Sequence, residues 1–193
     1  MAKINPLLEQ AYKSHLSVLL EAIKRTDKPI LELGAGDGST RQIHNATKGF
    51  ITTIEDSKAW LNRFLDLQSA RHRLLLLSEK EMIEKFFAND TTAWGLVFVD
   101  SATWVGRASA INKYKDTADY LVIHDTDYSV QTGVFGKTTE SGKSDFSDTF
   151  KQWIEFIPTQ KSALGQPPTV VGSNVRDLKD FTVQDMQIIG TNA

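Results

Sequence analysis

From Leu31 to Gly38 the chain reads Leu-Glu-Leu-Gly-Ala-Gly-Asp-Gly, an apolar run that ends in one acid and then three glycines spaced two apart. Few segments of this length restrict a fold so strongly. A strand that turns at once into a helix needs residues without a Cβ where the backbone bends, and again where a ligand lies against the main chain. Gly34, Gly36 and Gly38 stand at those places. Pro29 to Leu33 is short and mostly apolar, as expected of a strand covered on both faces, and Ser39 or Thr40 is placed to cap the next helix. The spacing departs from the dinucleotide fingerprint G-x-G-x-x-G, whose third glycine would fall at Ser39.

The rest of the chain alternates in the same manner. Asn5 and Pro6 read as the cap and first residue of an opening helix whose apolar positions run from Leu7 to Ile23, with Tyr12 and His15 on it either near the cofactor or, the reading favoured, structural. Phe50 to Ile54 is a β-branched run ending at Glu55-Asp56, about 20 positions after the glycines, where nucleotide-binding α/β folds place an acid for ribose hydroxyls. Glu55 suits that task, because a carboxylate accepts two hydrogen bonds from a vicinal diol, while Asp56 reads as the cap of the helix carrying Trp60, Leu61, Phe64 and Leu65. Arg71-His72-Arg73 reads as a solvated approach to a buried core strand, Leu74 to Leu77, which Ser78 and Glu79 follow before a helix from Lys80 to Phe87. Leu96 to Val99 ends at Asp100, and Tyr120 to Ile123 ends at His124-Asp125-Thr126-Asp127. Ligands of open parallel sheets bind beyond the carboxyl ends of the strands, so these polar residues should open into the crevice of the glycine loop.

The pattern Glu32-x-Gly34-x-Gly36-x-Gly38 resembles the first motif of the class I S-adenosylmethionine-dependent methyltransferases. Phe98-Val99-Asp100, Arg107 in the following helix and Ile123-His124-Asp125-Thr126 resemble the small-molecule O-methyltransferases of that class, so the resemblance spans Leu31 to Asp127. It implies an α/β fold, a Rossmann-like three-layer sandwich with a mostly parallel sheet and a C-terminal antiparallel hairpin. It also implies that Glu32, Gly34, Ala35, Gly36, Gly38, Glu55, Asp56, Ser78, Glu79 and Asp100 surround S-adenosylmethionine. His124, Asp100 and Asp125 are then the catalytic candidates. Some relatives hold Mg2+ between acids after the fourth and fifth strands, which maps onto Asp100, Asp125 and Asp127, although this chain has His-Asp where the catechol-type pattern has Asp-Asn. The sulfonium methyl is already electrophilic, so the protein must hold the acceptor in line and help remove a proton. Either His124 acts as a base oriented by a carboxylate, or a hard cation lowers the pKa of the acceptor hydroxyl.

Composition narrows the alternatives. The 193 residues, 40% of them hydrophobic, suffice for one domain with a substantial core. Within it we expect an N-terminal helix over 1–28, a cofactor-binding core over 29–127, a mobile loop over 128–148, and a C-terminal helix with strands over 149–193. In the last part Phe150, Trp153, Ile154 and Ile157 mark the helix, and Thr169–Val171 and Gln187–Ile189 the hairpin; Pro167-Pro168 reads as a loop entering an edge strand. The absence of cysteine excludes disulfides, thiolate metal sites and cysteine nucleophiles. A net charge of −2 with scattered Lys and Arg gives no footprint for a nucleic acid backbone. No signal-peptide pattern and no membrane-length apolar run is present, so the chain reads as soluble and cytoplasmic. Asp100-Ser101-Ala102-Thr103-Trp104 lacks the Pro-Pro-aromatic run of amino-methylating DNA enzymes, and Trp104 is a candidate wall of an acceptor pocket. The expected partner is a small-molecule methyl acceptor; a non-catalytic cofactor-binding module and a nucleotide- or NAD-binding oxidoreductase are the alternative readings.

Overall fold

Residues 13–101, 103–159 and 166–193 are described in the computed structural model of the chain. Helices and strands alternate first: α1 (Leu16–Lys24), β1 (Ile30–Leu33), α2 (Thr40–Ala46), β2 (Ile51–Glu55), α3 (Lys58–Leu61), β3 (His72–Leu76), α4 (Glu79–Glu81), β4 (Leu96–Val99), α5 (Trp104–Tyr114) and β5 (Tyr120–His124). A 3-10 turn, Asn62–Leu67, extends α3, and a π-helical turn, Met82–Phe87, extends α4. The last third holds α6 (Thr126–Thr132), a small hairpin of β6 (Lys137–Thr138) and β7 (Ser144–Asp145), and then β8 (Gln152–Pro158), β9 (Thr169–Ser173) and β10 (Met186–Thr191).

The main sheet has eight strands in the order β10-β8-β9-β5-β4-β1-β2-β3. Strands β1 to β5 run parallel, and β9, β8 and β10 are added antiparallel in turn beyond β5. The chain winds outward from β1 through β2 to β3, then restarts on the other side at β4, so the order reverses between β1 and β4 and leaves a crevice at their carboxyl ends. Both faces are covered. Val97 and Val99 face one core with Ile111, Tyr114 and Phe146, while Leu96 and Phe98 face the other with Leu19, Ile43 and Phe181. Among the described residues no helix is long and apolar enough to cross a membrane.

The parallel half follows the sequence reading, and the departures have physical causes. The segment read as a helix around Trp153 and Ile154 is strand β8, in which Ile154 and Phe156 enter one core and Trp153 the other. A strand buried on both faces carries apolar residues on both, and here Phe150, Trp153, Ile154 and Ile157 fall at helical spacing. Strands β9 and β10 do not form a hairpin with each other, because β8 lies between them and pairs with both, and β9 is therefore an interior strand. Strand β3 is not a core strand but the sheet edge, with Leu76 45% exposed, and His72 beside the supposedly solvated arginines is fully buried. Residues 128–148 are not a featureless loop. They contain most of α6 and the β6–β7 hairpin, anchored where Phe146 packs on Phe135 and Trp153 at centroid distances of 5.1 and 5.2 Å. The cap of α3 is Ser57, which accepts from the Trp60 N–H, rather than Asp56. Asn5, Pro6 and Tyr12 lie outside the described residues.

Candidate active site

The glycine loop leaves β1 with its backbone held from below. Gly34 has φ +96°, and a Cβ there would lie 2.5 Å from the Asp100 carbonyl oxygen, so this position admits glycine alone. A Cβ at Gly36 would meet nothing closer than 3.5 Å, so the fold itself does not demand glycine there; the bare backbone instead faces the cavity that Gly36 lines. Ser39 and Thr40 were expected as caps, but both hydroxyls donate to Glu32 Oε1, at 2.6 and 3.0 Å, and Thr53 donates to Glu32 Oε2 at 2.6 Å. Thr40 Oγ1 in turn accepts from the Gly36 N–H at 2.9 Å. Glu32 is completely buried beneath the loop and acts as its internal tie rather than as a cavity wall. Burial pushes its carboxyl up to about 7 against the pull of the three hydroxyls.

Glu55 ends β2 where the sequence placed it and lines the cavity. Its oxygens accept from the Ala35 N–H at 2.7 Å and the Ser57 N–H at 2.8 Å, fastening the loop to the next strand; each oxygen keeps a further acceptor direction. Desolvation moves its pKa upward. Asp56 and Glu79 line a narrow slot beside it with Leu77 and Met82. Ser78 is exposed and does not line the slot, because its hydroxyl accepts from the Glu81 N–H in a capping box at the start of α4.

The other wall is built by α1, β4, β5 and α5. The cavity, about 430 Å³, runs from the glycine loop past Trp60 to His15, Asp100, Arg107, His124 and Asp125. His124 Nδ1 lies 3.2 Å from Asp100 Oδ1 and 3.5 Å from Asp125 Oδ1, while its Nε2 lies 2.8 Å from Ser14 Oγ. Asp125 takes the left-handed conformation, φ 56°, which turns the chain from β5 into α6 with its carboxylate beside Arg107 and His124. Arg107 is 4% exposed and donates to the carbonyls of Ser101 and His124 at 2.6 and 2.7 Å, and to Asp100 and Asp125 at 3.2 and 3.4 Å. Burial opposes charge on both Asp100 and His124, yet their mutual attraction wins: the carboxyl is held below its usual range and the imidazole above. Asp125 is moved upward by desolvation, against His124.

Two residues outside the expected site set belong to this wall. Arg107 is the internal cation that neutralises the two acids. His15, expected to be structural, packs on Phe98 and edge-on to His124, with ring centroids 4.8 and 4.5 Å away. It is 2% exposed, and neither ring nitrogen has a hydrogen-bond partner among the described residues. No periodicity signals such a residue, since it stands one position before α1 begins. Trp104 starts α5, stacks on Tyr128 at 5.7 Å and lies 4.8 Å from the Arg107 guanidinium, outside the cavity lining.

The acids expected to hold Mg2+ do not form a set suited to it. Asp127 stands apart on α6, outside the cavity lining, with Oδ1 buried and unpartnered among the described residues, which leaves Asp100 and Asp125 of the expected three at the wall. A hard cation needs a shell of oxygens, and this wall offers two imidazoles beside its acids.

No family model and no curated protein matches the sequence. Solved structures do match. An rRNA methylase from Streptococcus thermophilus is 14% identical, with 91% of this chain and 100% of that one covered and a TM-score of 0.55. The N-methyltransferase NodS from Bradyrhizobium japonicum WM9 is 14% identical, with 89% and 98% covered and a TM-score of 0.57. The O-methyltransferase TomG from Streptomyces achromogenes, solved in complex with SAM, is 16% identical, with 91% and 92% covered and a TM-score of 0.56. These likenesses show the fold, the Rossmann-like α/β architecture of class I methyltransferases. They span three kinds of acceptor and do not choose among them, so they lend no support to excluding nucleic acid.

Proposed function

We propose that the chain is a methyltransferase that takes a methyl group from S-adenosylmethionine and transfers it to a hydroxyl of a small molecule. One observation carries the reading: the glycine loop, Glu55 and the His124–Asp100 pair line a single cavity of about 430 Å³. That volume lies in the ordinary range for small-ligand sites. The cofactor would rest over Gly34 to Gly38, where the backbone at Gly36 is bare, with Glu55 accepting from its ribose hydroxyls and Asp56 and Glu79 beside the slot for its base. When bound, S-adenosylmethionine supplies an electrophilic methyl carbon on a sulfonium.

At the other end the protein has two tasks. Arg107 fixes Asp100 and Asp125, and Asp100 fixes the His124 ring, so the wall against which the acceptor lies is rigid before any ligand enters. As the acceptor oxygen bonds to the methyl carbon and the carbon–sulfur bond breaks, the hydroxyl proton leaves to the wall of Asp125, Asp100 and His124. A small uncharged acceptor is favoured over a phosphate backbone because the cation in the cavity lining, Arg107, is already paired with two acids.

Calorimetric titration with S-adenosylmethionine, S-adenosylhomocysteine and NAD tests the reading. Heat is expected with the first two and none with NAD. Binding of NAD alone, or of none of the three, overturns it.

A further inference from the structure

The expected oxygen site for magnesium is not what the fold assembles. What it brings together are His15 from the turn before α1, Asp100 from the end of β4 and His124 from the end of β5, each offering a ligand atom, with all of these atoms within 4.8 Å of one another. We propose that His15, Asp100 and His124 bind a divalent transition-metal ion of the zinc class at the acceptor end of the cavity.

Three features beyond proximity point to a metal. The first is the state of His15, buried with both nitrogens unpartnered among the described residues although the ring lines a cavity. Buried polar groups are nearly always hydrogen-bonded, so a ring with both nitrogens unpartnered at the edge of a cavity calls for an explanation. The second feature is the set of supports behind the ligands. A metal-bound imidazole is normally held through its other nitrogen, and His124 Nε2 lies 2.8 Å from Ser14 Oγ, leaving Nδ1 on the side of Asp100. Asp100 itself is steadied by Arg107. The third is spacing. Donors of a tetrahedral site with bonds of about 2.1 Å stand about 3.4 Å apart, and His124 Nδ1 and Asp100 Oδ1 are already 3.2 Å apart. A His15 nitrogen lies within 4.8 Å of both, so a shift of its side chain completes the set. Two imidazole nitrogens and one carboxylate oxygen favour zinc, cobalt or iron over magnesium. Asp125, 3.5 Å from His124 Nδ1, adds a second negative charge to offset the ion beside Arg107.

The site sits where the proposed function places the acceptor, but metal binding is measured without acceptor or cofactor, so the two readings fail separately. Metal-stripped protein is titrated with Zn2+, Co2+ and Mg2+ by calorimetry, and the Co2+ complex is read by visible absorption. One Zn2+ or Co2+ per chain is expected, with a d–d spectrum, and no heat from Mg2+. His15→Ala and His15→Gln should each weaken Zn2+ binding at least tenfold, with circular dichroism showing which variants keep the fold. His44→Gln controls for the other histidine pair, His44 and His72, whose Nδ1 atoms lie 3.0 Å apart, and should leave affinity unchanged. Absence of Zn2+ and Co2+ binding, preference for Mg2+, or loss with His44→Gln but not with a folded His15 variant overturns the proposal.

Discussion

Glu32 shows how one buried acid orders protons over a long distance. With Glu32 ionised, the hydroxyl of Thr53 donates its single proton to it, so the Nε2 of His72, 2.8 Å from the same oxygen, carries its own. His72 Nδ1 is then a lone pair that accepts from His44 Nδ1 at 3.0 Å, and His44 Nε2 accepts from Arg71 at 3.0 Å. Both rings are thereby fixed as neutral tautomers, in keeping with the burial that pushes His72 down to about 4 and His44 below its usual value. The linked acid and base act in opposite directions on stability. Glu32, raised from 4.5 to about 7, contributes most stability below pH 4.5 and loses it as pH rises to about 7; His72, lowered from 6.5 to about 4, contributes stability above pH 6.5 and loses it as pH falls to about 4. The two slopes mask each other in the intact chain. Glu32→Gln unmasks them: relative to the parent, the variant should gain about 3 kcal/mol between pH 4.5 and 7 in urea melts, and parallel profiles would show that the acid is not linked to folding in this way.

At the scale of elements, legibility followed how far each pattern depends on local chemistry. The strand–glycine–helix turn at Gly34 was readable because a positive φ and a close backbone leave no alternative residue, and the acids at Glu55 and Asp100 were readable because strand ends in a parallel sheet meet at one rim. Strand β8 was not, since Phe150, Trp153, Ile154 and Ile157 recur at helical spacing, and its place between β9 and β10 is decided by partners far away in sequence. His15 was hidden for the same reason: its meaning comes from Phe98 and His124, which no neighbouring residue announces. In the β6–β7 hairpin the polar surroundings concealed Phe146, which is wholly buried. Phe146→Ala should cost about 3–5 kcal/mol in urea unfolding, the usual range for a large core aromatic, whereas a loss below about 1 kcal/mol would mean that the segment is not anchored by it.

Across the whole molecule, the cavity spans the point where the sheet reverses order, with the loop after β1 on one side and the ends of β4 and β5 on the other. The positions of His124 and Asp100 are therefore set by interstrand spacing, since Val99 and Ile123, the residues immediately before them, are register partners on adjacent parallel strands. A chain stopped at residue 150 keeps the glycine loop, Glu55, Asp100 and His124 but lacks β8, β9 and β10. It should precipitate, and any soluble fraction should give no calorimetric heat with S-adenosylhomocysteine; full binding by that fragment would show that the antiparallel strands are dispensable. The neighbour that covers β5 is β9, residues 169–173. On the ribosome, then, the strand ending in His124 is complete for some 45 further residues of synthesis while its outer edge stays bare. Until β9 emerges the chain can pair wrongly at that edge, so its yield in the cell should depend on how quickly residues 125–173 are delivered.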